Sequence, residues 1–319
     1  MIKQIVVTEP LHIENAQKEE LSRKAAHRDW HITWYDTPPS SQEDLSKRIA
    51  PADMAIIANY PLKADALKNA NRLSMLSIAF TGVDHVDLTT LQKRNVATSN
   101  CAGYATHSVA ELTLSMALSL LRYGAECDKA VRNHRAAQGL RGTTLFGKTW
   151  GIIGTGAIGR ETARLAAAFG CQCIGFNRHE TDPAITYMPL SDVLAKSDIV
   201  SIHVPLTPST KHLIGKNELS LMKASAILIN TARGPVVDTD ALAEALCNNC
   251  LAGAGIDVFD TEPPLAPDTP ILKAPHTILS PHIGFDTKEA MAARADMAFE
   301  NLAAFEEGRQ KRIVLPPVK

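Results

Sequence analysis

Three polar residues stand where an apolar run gives way to a loop. They are Arg233 in "NTARGPVVD" (230–238), Glu262 in "DVFDTEPP" (257–264) and His282 in "LSPHIGF" (279–285). Singly, each has an ordinary reading as a surface charge, a loop acid or a packing residue before a turn. Together they supply the groups that reduction of a 2-keto acid needs. A guanidinium can grip a carboxylate through two parallel hydrogen bonds. An imidazole can give a proton to a carbonyl oxygen, and a carboxylate beside it favours the charged ring. In open α/β sheets ligands gather outside the carboxyl ends of the strands, where all three residues are expected.

Reduction also needs an electron donor, and "TWGIIGTGAIGRETARLAAAFG" (149–170) suggests where one binds. Gly154, Gly156 and Gly159 fit a G-x-G-x-x-G turn between an apolar run and a helical pattern. In such a turn the first glycine allows the tight bend and the second lets the backbone approach a pyrophosphate. The third lets helix pack closely on strand. Free N–H groups at the start of the helix offer the phosphates a positive dipole end. A merely structural strand–helix turn is the alternative, and the flanking pattern favours a nucleotide.

The residue that reads the adenosine ribose follows the first glycine by about 20 positions. That count leads to Asn177, followed by Arg178 and His179. An aspartate there accepts from the ribose hydroxyls of NAD and repels the extra phosphate of NADP. Asparagine keeps the reach without the repulsion, and Arg178, with His179 when protonated, can pair with a 2′-phosphate. NADP(H) is thus favoured slightly over NAD(H). The alternative is that Arg178 points to solvent and Asn177 serves NAD.

These residues need a scaffold, and the chain alternates short apolar strands with helical patterns twice over. The first series comprises "IVVTE" (5–9), "HITWYD" (31–36), "MAIIAN" (54–59), "LSMLSIAF" (73–80) and "VATSN" (96–100). A long apolar helix, Ala105 to Arg122, follows. The second series runs from "TWGIIGTG" through "CQCIGFN", "DIVSIHV" (198–204), "AILIN" (226–230) and "AGAGIDV" (252–258) to "TILS" (277–280). A helix from about Thr287 to Glu307 and a short polar tail close the chain. Such alternation argues for parallel sheets with helices on both faces, hence two doubly wound, Rossmann-like α/β domains.

Bulk properties remove other classes. A formal net charge of −1 provides no field to attract nucleic acid or an anionic membrane. The apolar run at the N-terminus is too short for a signal peptide. The apolar helix, interrupted by Glu111, Thr113, Ser115 and Ser119, falls short of the roughly 20 residues of a membrane span. A cytoplasmic protein is expected. "CNNC" (247–250) has the spacing of a zinc half-site or redox pair, but no second pair or nearby histidines complete it, so no metal is expected.

At this point the residues carry a resemblance. The chain resembles the D-isomer-specific 2-hydroxyacid dehydrogenase family over essentially its whole length. The matching segments are "AFTGVDHVDL" (79–88), "HSVAEL" (107–112), "GIIGTGAIGR", "SIHVPLTPSTKHLIG" (201–215), "ILINTARGPVVD", "AGAGIDVFDTEPP" and "LSPHIG". The resemblance implies two domains with a cleft between them. Residues 1–100 with 284–319 would form a discontinuous substrate domain, and 101–283 the dinucleotide domain. The helices Ala105–Arg122 and from Thr287 would cross between them.

It also implies roles. Arg233 would bind the substrate carboxylate and polarise the keto group. His282 would be the acid in reduction, with Glu262 orienting it and keeping it protonated. Backbone N–H groups around Gly82 and Val83 would complete the carboxylate site, and Asn59 and Tyr60 would face the substrate. Ala157 and Ile158 would lie against the pyrophosphate, while Val204, Pro205 and Thr210 line the cofactor groove. Thr231 and Ala232, with Arg233, would pass under the nicotinamide ribose. Asp257 would hold the carboxamide, and Gly284 would belong to the cofactor site. A homodimer follows by analogy. After "PHIG", Phe285 and Asp286 depart from the small residues many relatives carry.

The substrate is narrowed by what is missing. No arginine lies between Arg48 and Arg72, so a second anionic group on the substrate would have no local partner near Asn59. Reduction of hydroxypyruvate or glyoxylate is the preferred reading. Lactate-type or phosphoglycerate-type oxidoreduction, a formate or phosphite dehydrogenase, and a dinucleotide-sensing corepressor-like protein without catalysis remain alternatives.

Overall fold

The computed structural model describes residues 2–317. Its strands run, in chain order, Lys3–Val7 (β1), Trp30–Trp34 (β2), Met54–Ile57 (β3), Met75–Ile78 (β4), Ala97–Asn100 (β5) and Thr149–Ile153 (β6). They continue with Gln172–Phe176 (β7), Thr186–Tyr187 (β8), Ile199–Ile202 (β9), Ile227–Asn230 (β10), Gly253–Ile256 (β11), Thr277–Leu279 (β12) and Ile313–Leu315 (β13). The chain divides into two compact units. One holds the residues up to Ala105 together with those from Asp286 onward, and the other is Thr106–Phe285. The joints expected from the sequence were 100/101 and 283/284.

The first unit carries a six-stranded sheet in the order β13-β5-β4-β3-β1-β2. Its strands are parallel except β13, which runs antiparallel to β5. β3 and β4 are buried at every position. That fits continuous apolar runs covered by helices on both faces. The helix Lys288–Glu306 returns the chain to this sheet, its first turn capped by Thr287 Oγ1, which accepts from the Ala290 N–H at 3.2 Å. Asn301, fully buried on that helix, donates through Nδ2 to Ser77 Oγ (3.2 Å) and to the Asn100 carbonyl (2.8 Å).

The expected polar tail needs correcting. Ile313–Leu315 is a strand, and Gln310 Nε2 ties the approach to it by donating to the Thr98 carbonyl at 3.0 Å. Three apolar residues are too few to stand out as a pattern, but they cover the edge that β5 would otherwise expose.

The second unit carries seven strands, all parallel, in the order β12-β11-β10-β9-β6-β7-β8. The order reverses between β6 and β9, the position of a topological switch point. Trp150 of β6 is fully buried, and its Nε1 donates to Ser201 Oγ of β9 at 2.9 Å. The apolar helix, Thr106–Leu121, packs on β10, β11 and β12 and on the helix Ala157–Ala168. Its apolar length is used inside this unit.

Asn301 generates a prediction. Asn301→Ala leaves the Asn100 carbonyl without that donor, and urea unfolding followed by a probe in the first unit should show a loss of about 1–3 kcal/mol. An unchanged midpoint would count against this helix as a structural part of the first unit's sheet.

Candidate active site

Because the second sheet is parallel throughout, every loop after a strand opens on the same edge. Gly154 follows β6, Asn177 follows β7 and His203 follows β9. Arg233, Glu262 and His282 come after β10, β11 and β12, which are neighbours in the sheet.

The three glycines of the turn are needed for three different reasons. Gly154 has φ +92°, and a Cβ there would sit 2.8 Å from the His203 carbonyl. A Cβ on Gly159 would meet the Gly154 carbonyl oxygen at 2.1 Å, so only glycine lets the helix Ala157–Ala168 lie this close to the strand. Gly156 has open space where its side chain would be and precedes the first turn of that helix. An uncovered backbone at a helix start is a cradle for a pyrophosphate. Ala157 is exposed and Ile158 half-buried beside it.

Asn177 is built into a hydroxyl cluster. Its Nδ2 donates to Thr155 Oγ1 (2.9 Å) and to the His179 carbonyl (3.0 Å). Tyr187 Oη also reaches Thr155 Oγ1 (3.0 Å), and Thr181 Oγ1 donates to the Thr155 carbonyl at 2.8 Å. Both amide protons are thereby used inside this cluster. Arg178 and His179 are exposed. Thr155, Thr181 and Tyr187 were not foreseen, because each is a common residue whose partners are distant in sequence.

At the switch point, burial pushes the His203 imidazole down to about 3, so the ring is neutral at physiological pH. Its Nε2 lies 2.9 Å from Ser201 Oγ, which already accepts from Trp150. Val204 is half-buried and Pro205 exposed. Thr210 Oγ1 donates to the Pro205 carbonyl at 2.6 Å and accepts from the Thr207 N–H at 2.8 Å, which closes this turn.

Arg233 is placed by its neighbours. Asn230, almost fully buried, donates to the Arg233 carbonyl (2.9 Å) and accepts from the Ala232 N–H (3.1 Å). A Cβ on Gly234 would come 2.0 Å from the Phe259 carbonyl carbon, so the loops after β10 and β11 touch backbone to backbone. Thr231 Oγ1 meets Thr113 Oγ1 at 2.9 Å, and Thr113 spends its own proton on the Val109 carbonyl.

The His282 loop depends on one carboxylate. Asp257, buried, accepts through Oδ1 from Ser280 Oγ (2.5 Å) and the Ile283 N–H (2.9 Å), and through Oδ2 from the Gly284 N–H (2.8 Å). Its carbonyl accepts from the His282 N–H at 2.8 Å. Three of roughly four acceptor positions on that carboxylate are thus used inside the protein. Gly284 is fitted against it, since a Cβ would lie 2.9 Å from Oδ2 and 3.3 Å from Leu112 Cδ2. Held this way, His282 adopts φ +57°. Its Nδ1 is 2.8 Å from Glu262 Oε1, and its ring meets Phe285 edge to face at 5.4 Å. Glu262 is 68 % exposed and His282 19 %, so in this geometry their pairing contributes little to stability.

Four other candidate residues belong to the first unit. Asn59 and Tyr60 follow β3, and Gly82 and Val83 follow β4, its neighbour. Asn59 is exposed and the other three are half-buried.

A doubly wound sheet with this glycine turn, and an imidazole–carboxylate pair on the same edge, defines a nicotinamide-dependent oxidoreductase. The sequence profile described as "D-isomer specific 2-hydroxyacid dehydrogenase, NAD binding domain" matches residues 114–284. A glyoxylate reductase of Korarchaeum cryptofilum is 35% identical over 286 residues, covering 86% of each chain. A glycerate dehydrogenase of Methylorubrum extorquens is 34% identical over 98% of this chain and 99% of its own. Among solved structures, an acyclic imino acid reductase in complex with NADPH and D-Arg superposes with a TM-score of 0.88 at 26% identity. That alignment covers 98% of this chain and all of the other. The chain belongs to the D-isomer-specific 2-hydroxyacid dehydrogenase family, oxidoreductases that interconvert 2-keto and 2-hydroxy acids with a nicotinamide cofactor.

If Asp257 organises the loop as described, Asp257→Asn will speed hydrogen exchange at the Ile283 and Gly284 amides by about tenfold or more. Exchange in β9 and β10 should stay as it was. Equal acceleration in those strands would mean that the carboxylate supports the whole unit instead.

Proposed function

We propose that this protein reduces a small unphosphorylated 2-keto acid, hydroxypyruvate or glyoxylate, to the D-2-hydroxy acid. The observation that carries the reading is the 2.8 Å contact between His282 Nδ1 and Glu262, at the strand exits beside that of Arg233. The names of the two relatives above support the substrate class. A further support for an unphosphorylated substrate comes from Arg48, the arginine nearest in sequence to Asn59. Its side chain is committed to Asp44 and to the Thr8 and Thr37 carbonyls, and is 8 % exposed.

When bound, the reduced nicotinamide supplies a hydride. The chain supplies the rest. Arg233 binds the substrate carboxylate and stabilises charge growing on the carbonyl oxygen. Glu262 takes the Nδ1 side of His282, so Nε2 is the atom that delivers the proton. Asp257 keeps the loop in place while its remaining acceptor position serves the carboxamide. The N–H groups of Gly82 and Val83 add donors for the carboxylate, and Asn59 and Tyr60 meet the remainder of the substrate.

NADPH is the preferred cofactor on this reading. Asn177 keeps a neutral amide where a carboxylate would repel a 2′-phosphate, and exposed Arg178 is available to pair with it. A cytoplasmic homodimer joined through the cofactor domain completes the proposal, by analogy with the family.

Initial rates with hydroxypyruvate and glyoxylate, NADPH and NADH in parallel, test this. NADPH should be preferred, and Arg178→Ala should raise its KM about tenfold while leaving that of NADH unchanged. A preference for NADH would overturn the cofactor assignment alone. His282→Asn should lower kcat by about 10²–10⁴-fold, with the protein still folded, and retention of full kcat would remove His282 from the proton transfer.

A further inference from the structure

Glu9 takes no part in the scheme above, yet it is buried just past the end of β1. Its carboxylate collects the N–H groups of three consecutive residues after β3. Ala58 N donates to Oε1 at 2.8 Å, Asn59 N to Oε2 at 3.2 Å, and Tyr60 N to both oxygens at 3.1 and 3.2 Å. Successive N–H groups converging on one point form an anion nest. Here the chain fills the nest with its own carboxylate, and the register makes this possible. Val7 of β1 pairs with Ile56 of β3, so the residues just past the two strand ends meet.

The same loop is held from its other side. His85 Nε2 lies 2.8 Å from the Ala58 carbonyl, and because a carbonyl only accepts, that nitrogen carries the proton. The Leu62 N–H donates to the His85 carbonyl and the Asp87 N–H to the Leu62 carbonyl, both at 2.9 Å. A parallel bridge between Leu62 and Val86 completes the junction. The segment 58–62 is thereby joined to the segment 82–87. These two segments carry Asn59, Tyr60, Gly82 and Val83.

We propose that Glu9 and His85 are positioning residues for the keto-acid site, locking the Asn59–Tyr60 and Gly82–Val83 loops in one geometry without touching substrate. The inference rests on the functional reading above, which gives those loops to the substrate. The carboxylate inside the nest also occupies three backbone donors that would otherwise be open to a bound anion.

Two pairs of variants test it. Glu9→Gln replaces one of the two accepting oxygens with an NH2 group, setting a donor against the N–H groups of the nest. His85→Phe keeps a ring beside Phe80, which the imidazole meets edge to face at 6.0 Å, but removes the donor to Ala58. Each should raise the KM for hydroxypyruvate or glyoxylate about tenfold, with kcat and the KM for NADPH within about twofold of the wild type. His85→Gln, which restores an N–H donor of similar reach, should recover most of the lost affinity. Ile49→Val, a mild core change in the same unit, should lower the melting temperature without moving the keto-acid KM.

An unchanged keto-acid KM in both Glu9→Gln and His85→Phe overturns the inference while leaving the enzyme reading intact. Equal losses in every kinetic constant, matched by Ile49→Val, would show a structural role only. Should Glu9→Gln fail to fold, the His85→Phe and His85→Gln pair decides. No turnover of any 2-keto acid by the wild-type protein overturns the functional reading, and this inference with it.

Discussion

Parallel pairing is the constraint from which the rest of this structure follows. In the second sheet β9 and β10 give their N–H and C=O groups to neighbours on both sides, and their side chains are covered on both faces. Nothing within such a strand is available for chemistry. Only its ends are, and in a parallel sheet all the carboxyl ends fall on one edge. The glycine turn, the Asn177 loop, an arginine, a glutamate and a histidine from well-separated parts of the chain thus arrive at the same margin.

Placing loops on an edge does not yet fix their side chains. That task falls to buried polar groups lying just beneath it. Asp257 accepts from Ser280 and the N–H groups of Ile283 and Gly284, and in doing so fixes the backbone of His282 in a left-handed conformation. Non-glycine residues rarely adopt that conformation, at a cost of about 1–2 kcal/mol. The hydrogen bonds to the buried carboxylate offset it. Asn230 likewise ties down the loop that carries Arg233, and Glu9 the loop after β3. In each case a polar group that would be expensive to bury alone is satisfied by loop backbone, so the loop gains rigidity from the requirement that the buried group be paired.

The glycines follow the same logic from the other direction. Gly154, Gly159, Gly234 and Gly284 are each pressed against backbone or a buried side chain, and a Cβ would force the loops apart. Gly156 alone of these faces open space. The contrast separates glycines that serve protein packing from the one whose missing side chain leaves room for a ligand.

Much was legible from the amino-acid order alone, because it is encoded locally. Apolar runs of four to eight residues between helical patterns marked most of the strands, and the glycine turn with its flanks marked the nucleotide end of the second domain. The three chemical side chains stood out because each lies in the loop after an apolar strand. Missed were β8 and β13, with two and three residues, too short for any periodicity to show. Missed too were Glu9, Thr155, Thr181 and Tyr187, and Asp257 was read only as a cofactor ligand. Their roles lie in contacts with residues far along the chain, such as Glu9 with Ala58 across β1 and β3, or Thr155 with Tyr187 around β7. A strand or helix is chosen by neighbours in sequence, so the sequence by itself determined the architecture and the candidate chemistry. Which donor meets which acceptor is set by the register of paired strands and the packing of helices on them. Only the tertiary structure could decide how those candidate side chains are held.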